Sequence, residues 1–128
     1  MKSAKSAFLV DDDEVDQEFF ISALMQVEDV TLFNIASNGI EALNTLQHAA
    51  ELPSMIFMDL EMPLMGGFEC LREITRNPRT RDIPIFLLTT LANQHHRATQ
   101  SGARGFIVKP NDELTLIRGI RQALALIQ

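Results

Sequence analysis

Four short apolar runs, each followed at once by polar side chains, constrain the fold of this chain more than any other feature. They occupy residues 7–10, 55–58, 85–88 and 106–108. Runs of about four residues are too short for helices, and continuous apolarity suits strands of a parallel sheet that is covered on both faces. A fifth segment, residues 30–36, mixes polar and apolar side chains and predicts a more peripheral strand.

Helical patterns separate these strand candidates, because apolar residues recur there at spacings of three and four along one face. The residues that form these faces are Val15, Phe19, Phe20, Ala23, Leu24 and Val27; Ile40, Leu43 and Leu46; Phe68, Leu71 and Ile74; and Leu114, Ile117, Ile120, Leu124 and Ile127. Residues 92–101 are mostly polar, so their position alone predicts a helix there. At two helix starts, Asp13 and Asn38 are favoured N-caps.

Strand and helix therefore alternate five times, which predicts an α/β fold: a doubly wound (βα)5 domain with a five-stranded parallel sheet and right-handed crossovers. A length of 128 residues suits one domain, residues 1–128, whose core needs no disulfide or structural metal. Ligands of such sheets bind at the carboxyl ends of the strands. The chemistry of this chain is therefore expected at that edge.

The residues that follow the four runs form a chemically coherent set. They are Asp11, Asp12 and Asp13 after the first run, Asp59 after the second, Thr89 and Thr90 after the third, and Lys109 after the fourth. Carboxylate oxygens suit Mg²⁺, which binds few protein ligands and leaves room for phosphate. A lone aspartate can attack phosphorus, and a lysine with a hydroxyl can bind the phosphoryl oxygens.

Five strings of residues carry a resemblance to a known family. They are LVDDD (residues 9–13), ASNGIEAL (36–43), MDLEMPLMGGFE (58–69), LLTT (87–90) and GARGFIVKP (102–110). By their conjunction the chain, from about residue 7 to 126, resembles the receiver (phosphoacceptor) domain of bacterial two-component response regulators, of the single-domain type. The resemblance implies a flavodoxin-like fold with strand order 2-1-3-4-5, an order that alternation alone does not give.

The resemblance also implies a phosphoacceptor and a set of metal ligands. Asp59 matches the phosphoacceptor, which takes a phosphoryl group from the phosphohistidine of a sensor histidine kinase or a histidine phosphotransfer protein. Asp11 and Asp12 match the acidic pair that holds Mg²⁺ or Mn²⁺ together with Asp59 and the backbone carbonyl of Glu61. The protein is then a signalling switch that catalyses only its own phosphorylation and dephosphorylation, and not an enzyme acting on other substrates.

Further positions match the parts of the family that sense the phosphoryl group. They are Thr89 as the switch hydroxyl, Phe106 as the switch aromatic and Lys109 as the phosphoryl-contacting lysine. Thr90, where the family usually has a smaller residue such as alanine, and Leu91 are expected to modulate the site. The output implied is a change on the surface made by the predicted helix at residues 92–101, the strand at Phe106 and the last helix. An unknown downstream protein, or a second copy in a homodimer, would bind that surface.

Charge and hydropathy exclude several classes of partner. The net charge of −6, with no stripe of lysine and arginine, argues against direct binding of nucleic acid. No apolar run approaches the length of about 18 residues that a membrane helix needs. The single cysteine, Cys70, excludes an internal disulfide and suits a reducing compartment, so a cytoplasmic protein is expected.

Three other functions of an α/β domain fit these residues less well. An aspartyl-phosphate phosphatase of the haloacid dehalogenase type carries its D-x-D motif after the first strand, whereas Asp59, Leu60 and Glu61 follow the third predicted strand. A flavin carrier is disfavoured by the acidic turn after the first strand, which would repel a phosphate. A phosphorylation-independent interaction module would not need the acidic and lysine set. The chain is either a stand-alone protein or a piece of a larger regulator.

Overall fold

The computed structural model describes residues 4–90 and 100–127. Five strands form one sheet: β1 (Lys5–Val10), β2 (Val30–Ala36), β3 (Met55–Asp59), β4 (Ile85–Thr89) and β5 (Gly105–Val108). Between and after them lie α1 (Glu14–Leu24), α2 (Gly39–His48), α3 (Gly67–Arg76) and a C-terminal helix (Glu113–Ile127). Of the helix predicted at residues 92–101, residues 92–99 lie outside the described part.

The sheet is parallel throughout, with strand order β2-β1-β3-β4-β5, which confirms the predicted α/β fold and its order. The ladders continue one residue past the strands: the backbone N–H of Asp11 donates to Ala36 (3.0 Å) and that of Lys109 to Thr89 (2.7 Å). These extra hydrogen bonds fix the backbone of the residues at the carboxyl edge. The sheet therefore holds the backbone of Asp11 and Lys109 in place at that edge.

The two faces of the sheet bury different side chains. One face, with Leu9, Phe57 and Phe86, packs against α1 and the C-terminal helix, and the rings of Phe57 and Phe86 lie 5.6 Å apart. The other face, with Phe8 and Met58, packs against α2 and α3. This division follows from the strand period of two, because successive side chains point to opposite faces.

One prediction about burial is wrong. The run at residues 106–108 was expected to be covered on both faces, but β5 is only half-buried and Val108 is 40% exposed. The reason is that β5 forms an edge of the sheet, next to β4 alone. The central strands β3 and β4 are buried at every position, as predicted for them.

The helical faces also differ from prediction at their starts. Val15, Ile40 and Leu114 were placed on buried faces, yet their side chains are 73%, 53% and 55% exposed. Each is the second residue of its helix, where the chain has just left the sheet edge and has little to pack against. Val27 is buried as predicted, although α1 already ends at Leu24.

Cys70 lies in the core between α2 and α3, as predicted for a small apolar residue. Its Sγ contacts the carbonyl oxygen of Gly39 at 3.6 Å, and burial raises the pKa of the thiol to about 12. Within the described residues, no helix has the length and apolar character needed to cross a membrane.

Candidate functional site

The first acidic residue of the site, Asp11, is held by its neighbours. Its Oδ1 accepts a hydrogen bond from the backbone N–H of Asp13 (3.0 Å), and its carbonyl oxygen accepts one from Nε2 of Gln17 (2.6 Å). The side chain is almost fully buried. Burial raises the pKa of Asp11, although the Asp13 hydrogen bond and the charge of Lys109 act in the opposite direction.

Asp13 turns away from this set, because it caps α1. Its Oδ1 accepts hydrogen bonds from the backbone N–H groups of Val15 (2.8 Å) and Asp16 (3.3 Å). Asp13 precedes the first helical residue and has extended backbone angles, which is the geometry of an N-cap. The prediction that the third acid of the run is structural is confirmed. Asn38 caps α2 in the same way, with Oδ1 accepting from the N–H of Glu41 at 2.8 Å.

Three carboxylates converge at the end of β1 and β3. Asp11, Asp12 and Asp59 each offer an oxygen, and these oxygens all lie within 4.8 Å of one another. Asp11 and Asp59 are buried, whereas Asp12 is exposed. Like charges this close repel one another, so the arrangement costs stability unless a cation lies nearby or a carboxyl group is protonated. Its all-oxygen donor set fits a hard divalent cation such as Mg²⁺ or Mn²⁺.

Asp59 is the last residue of β3, and its side chain is buried. Oδ1 accepts a hydrogen bond from the backbone N–H of Glu61 at 3.1 Å. Burial raises the pKa of Asp59 to about 6, while the Glu61 hydrogen bond and Lys109 lower it and the charge of Asp11 raises it further. Above that pH the side chain is an ionised carboxylate in a poorly solvated position, which is a suitable state for a nucleophile.

Among the described residues, Lys109 is the one lysine whose ammonium group contacts this carboxylate cluster. Its Nζ lies 2.9 Å from Asp16 Oδ2, 3.1 Å from Asp11 Oδ2 and 3.3 Å from Asp59 Oδ2. Burial disfavours the charged ammonium, but the hydrogen bond to Asp16 and the charges of Asp11 and Asp59 outweigh burial and raise the pKa of Lys109. The group therefore stays positive and partly offsets the repulsion among the acids.

Asp16 is the residue that sequence reasoning missed. It is three residues after the Asp13 cap, in the first turn of α1. Side chains of a helix point back toward its N-terminus, so a carboxylate in the first turn can reach the strand end from which the helix departs. The sequence signal for this contact was therefore an acidic residue in the first turn of a helix that follows a strand of the site.

The remaining predicted positions lie around this cluster. Thr89 is the last residue of β4 and is buried. Its neighbour in the chain, Leu88, lies opposite Asp59 in the pairing of β3 with β4. Thr90 is exposed, and Leu91 lies outside the described residues. Phe106, in β5, is half-buried and packs against the core beneath α2 and α3. The exposed Glu61 contacts Asp59 through its backbone N–H.

The chain is similar in sequence to proteins of a known family. The family model described as response regulator receiver domain matches residues 7–121. Protein PilH of Pseudomonas aeruginosa is 29% identical over 119 residues, which cover 91% of this chain and 96% of that protein.

Two solved structures share the fold over almost the whole chain. The chemotaxis response regulator CheY4 of Vibrio cholerae aligns with a TM-score of 0.80 at 26% identity, covering 94% of this chain and 98% of that one. The response regulator Rcp1, in a Mn²⁺-bound form, aligns with a TM-score of 0.78 at 25% identity, covering 94% and 92%.

Proposed function

The chain belongs to the family of response regulator receiver domains, and from this membership we propose that it is a phosphorylation switch with Asp59 as the phosphoacceptor. The observation that carries the proposal is the pairing of Asp59 with Lys109 at 3.3 Å, beside two further carboxylates at the carboxyl edge of a parallel sheet. A nucleophile, a cation-binding acidic pair and an ammonium for phosphoryl oxygens are together what phosphoryl transfer requires.

The transfer itself is a displacement at phosphorus. A carboxylate oxygen of Asp59 forms a bond to phosphorus while the bond between phosphorus and the donor nitrogen of a phosphohistidine breaks, and the imidazole leaves. Asp11, Asp12 and Asp59, with the backbone carbonyl of Glu61, would hold Mg²⁺ or Mn²⁺, which supplies charge neutralisation to the phosphoryl oxygens when bound. The Mn²⁺-bound form of the similar Rcp1 supports this choice of ions.

Lys109 and Thr89 bind the phosphoryl oxygens and read the modification. Each hydrogen bond to a charged group contributes roughly 1.5–3 kcal/mol, whereas moving a two-state equilibrium from 1:99 to 99:1 takes about 5.5 kcal/mol. Neither contact suffices alone, so the switch needs both. Movement of Thr89 toward Asp59 frees space into which Phe106 turns, while Thr90 and Leu91 modulate access to the acceptor.

The responding surface comprises residues 92–101, β5 and the C-terminal helix. Exposed apolar side chains on its described elements support a binding role, since Val108, Leu114 and Leu126 are 40%, 55% and 52% exposed. Its partner is a downstream protein or a second copy of the chain. The phosphodonor is a sensor histidine kinase or a histidine phosphotransfer protein, and residues 1–128 act as one receiver domain in the cytoplasm.

The proposal is tested by measuring the intact mass of the protein after incubation with Mg²⁺ and acetyl phosphate. We expect one phosphoryl adduct, which hydroxylamine removes because it cleaves acyl phosphates. The same incubation with EDTA instead of Mg²⁺ is the control and should give no adduct. A protein that gains no mass with Mg²⁺, or whose adduct resists hydroxylamine, is not an aspartyl-phosphate switch.

The Asp12→Ala variant is expected to bind Mg²⁺ at least about tenfold more weakly than the wild type, because even groups that only support metal ligands change affinity by about 10- to 100-fold. The variant should stay folded without metal, since one of several mutually repelling carboxylates has been removed. Isothermal titration with Mg²⁺ measures the affinity, and Glu14→Gln, which removes an exposed acid nearby, is the control. If Asp12→Ala bound Mg²⁺ with the wild-type affinity, Asp12 would not be a ligand of the metal.

The Thr89→Ala variant is expected to accept a phosphoryl group on Asp59, but the resulting structural change should reach the responding surface only weakly. Addition of Mg²⁺ and beryllofluoride, a phosphoryl mimic, should shift the NMR signals of β5 and the C-terminal helix much less than in the wild type. Thr31→Ala removes an exposed hydroxyl from β2, at the edge of the sheet opposite β5, and should keep the wild-type shifts. Equal shifts in Thr89→Ala and wild type would mean that the signal leaves the site by another route.

A further inference from the structure

We propose that Asp16 is a positioning residue for phosphoryl transfer: it holds the ammonium of Lys109 where the phosphoryl group on Asp59 will need it. The inference rests on the proposed function. Asp16 makes the shortest carboxylate contact of Nζ, at 2.9 Å, whereas Asp11 and Asp59 of the proposed metal site lie at 3.1 and 3.3 Å.

Lys109 needs such help because its side chain is anchored mainly at its two ends. At the backbone end its N–H donates to the carbonyl of Thr89 at 2.7 Å. Lys109 also lines a cavity of about 50 Å³, together with the apolar side chains of Phe19, Phe20, Leu88, Pro110 and Leu116. A lysine has many rotamers, and empty space beside the residue does not select one of them. The position of the ammonium therefore depends on the carboxylates that bind it.

The other two carboxylates give up their contacts during the reaction. Oδ1 of Asp11 already accepts the N–H of Asp13, and Oδ1 of Asp59 accepts the N–H of Glu61. Oδ2 of each acid faces Lys109, and it is also the oxygen left for a cation or for phosphorus. When Asp11 and Asp59 take those roles, their hold on the ammonium weakens, whereas the contact from Asp16 is retained.

Asp16 is itself a firm anchor. Its backbone N–H donates to the Asp13 cap, and an acid in the first turn of a helix is favoured by the helix dipole. One turn later Phe20 packs in the core against Phe57, with ring centroids 5.0 Å apart, so the start of α1 is fixed to the sheet. The carboxylate of Asp16 is thus attached to a rigid element on one side of Lys109.

If Asp16 positions Lys109, its loss should slow labelling by acetyl phosphate, whereas if Asp16 acts only through its charge, its loss should speed labelling. Acetyl phosphate is an anion, so removing any negative charge near the site raises its encounter rate and affinity. If Asp16 instead positions Lys109, its loss lowers the rate of transfer, because the ammonium meets the phosphoryl oxygens less often. The sign of the effect therefore separates the two roles.

The test compares Asp16→Asn with wild type in labelling by acetyl phosphate at saturating Mg²⁺, followed by intact mass. We expect the maximal rate to fall about two- to fivefold, as for the loss of a partly exposed ion pair, while the half-saturating concentration of acetyl phosphate stays the same or falls because a negative charge has been removed. Glu18→Gln removes an exposed acid from the same helix and should not slow labelling. Asp16 is itself partly exposed, so the substitution should not unfold the protein, and Asp16→Ser repeats the test with a different side chain.

A second readout follows the ammonium directly. The chain has three lysines, Lys2, Lys5 and Lys109, so the ¹⁵N signal of the Lys109 ammonium is readily assigned by comparison with Lys109→Arg. Asp16→Asn should broaden or shift that signal, and Glu18→Gln should not. A wild type that is never labelled contradicts the proposed function itself. If the wild type is labelled but Asp16→Asn is labelled at an equal or higher rate, only the role of Asp16 is overturned. The same holds if the ammonium signal of Lys109 is unchanged in Asp16→Asn.

Discussion

Replacement of Asp59 by asparagine is expected to abolish labelling by acetyl phosphate in the presence of Mg²⁺. The amide lacks the anionic oxygen that attacks phosphorus, and no acyl phosphate can form on it. Asp11 is a poor substitute, because its oxygens already bind the N–H of Asp13 and the ammonium of Lys109. The adduct should therefore fall below detection by intact mass under conditions that label the wild type fully.

The matched control is Asp82→Asn, which makes the same chemical change at an exposed acid between α3 and β4 and should leave labelling unaffected. A hydroxylamine-sensitive adduct on the Asp59→Asn variant would move the acceptor to another carboxylate. Asp12 would be the first to examine, because it is exposed and its oxygen lies within 4.8 Å of the others in the cluster.

The same variant has an expected effect on stability, whose sign follows from the pKa of Asp59. Burial raises this pKa from 3.8 to about 6. A carboxyl with a raised pKa in the folded state stabilises the fold at low pH, and this stability is lost as the pH rises from about 4 through about 6. The loss is at most roughly 3 kcal/mol. Without divalent cations, Asp59→Asn should therefore be more stable than wild type in urea unfolding at pH 7, and the difference should shrink at pH 4.

The sequence predicts the strands and their carboxyl ends well, for a physical reason. A buried parallel strand must be apolar along its length, so a change to Asp, Thr or Lys marks the residue where it leaves the core. This is why the sequence alone places Asp59, Thr89 and Lys109 at one edge of the sheet. Their roles in phosphoryl transfer are predictions that the labelling experiments test.

Two features escaped the sequence because they depend on the position of elements relative to each other. The exposure of β5 follows from its place at the edge of the sheet, and a run of apolar residues does not encode how many neighbours its strand has. The contact between Asp16 and Lys109 joins residues 93 positions apart in the chain. Helical periodicity placed Asp16 on α1 but could not give its distance from the loop after β5.

The loop between Asp59 and α3 is the second place where a small change should have a large effect. Gly67, the first residue of α3, donates its N–H to the carbonyl of Leu60 at 3.1 Å. A Cβ on Gly67 would lie 2.5 Å from the carbonyl oxygen of Asp59 and 2.8 Å from the Cα of Leu60. Both obstacles are backbone atoms, so rotation of a side chain cannot relieve the overlap. Either α3 or the end of β3 must move.

The Gly67→Ala variant is therefore expected to lose about 1–3 kcal/mol of unfolding free energy, the usual cost of forcing one group into a closely packed site. Because the atom displaced belongs to Asp59, labelling by acetyl phosphate should also slow, since transfer requires in-line geometry at the acceptor. Gly66→Ala is the matched control: its Cβ would meet nothing closer than the Leu60 carbonyl oxygen at 3.6 Å, and its φ of −71° suits alanine. Urea unfolding and intact mass measure the two effects. A Gly67→Ala protein as stable and as readily labelled as Gly66→Ala would show that this loop relaxes without disturbing the acceptor.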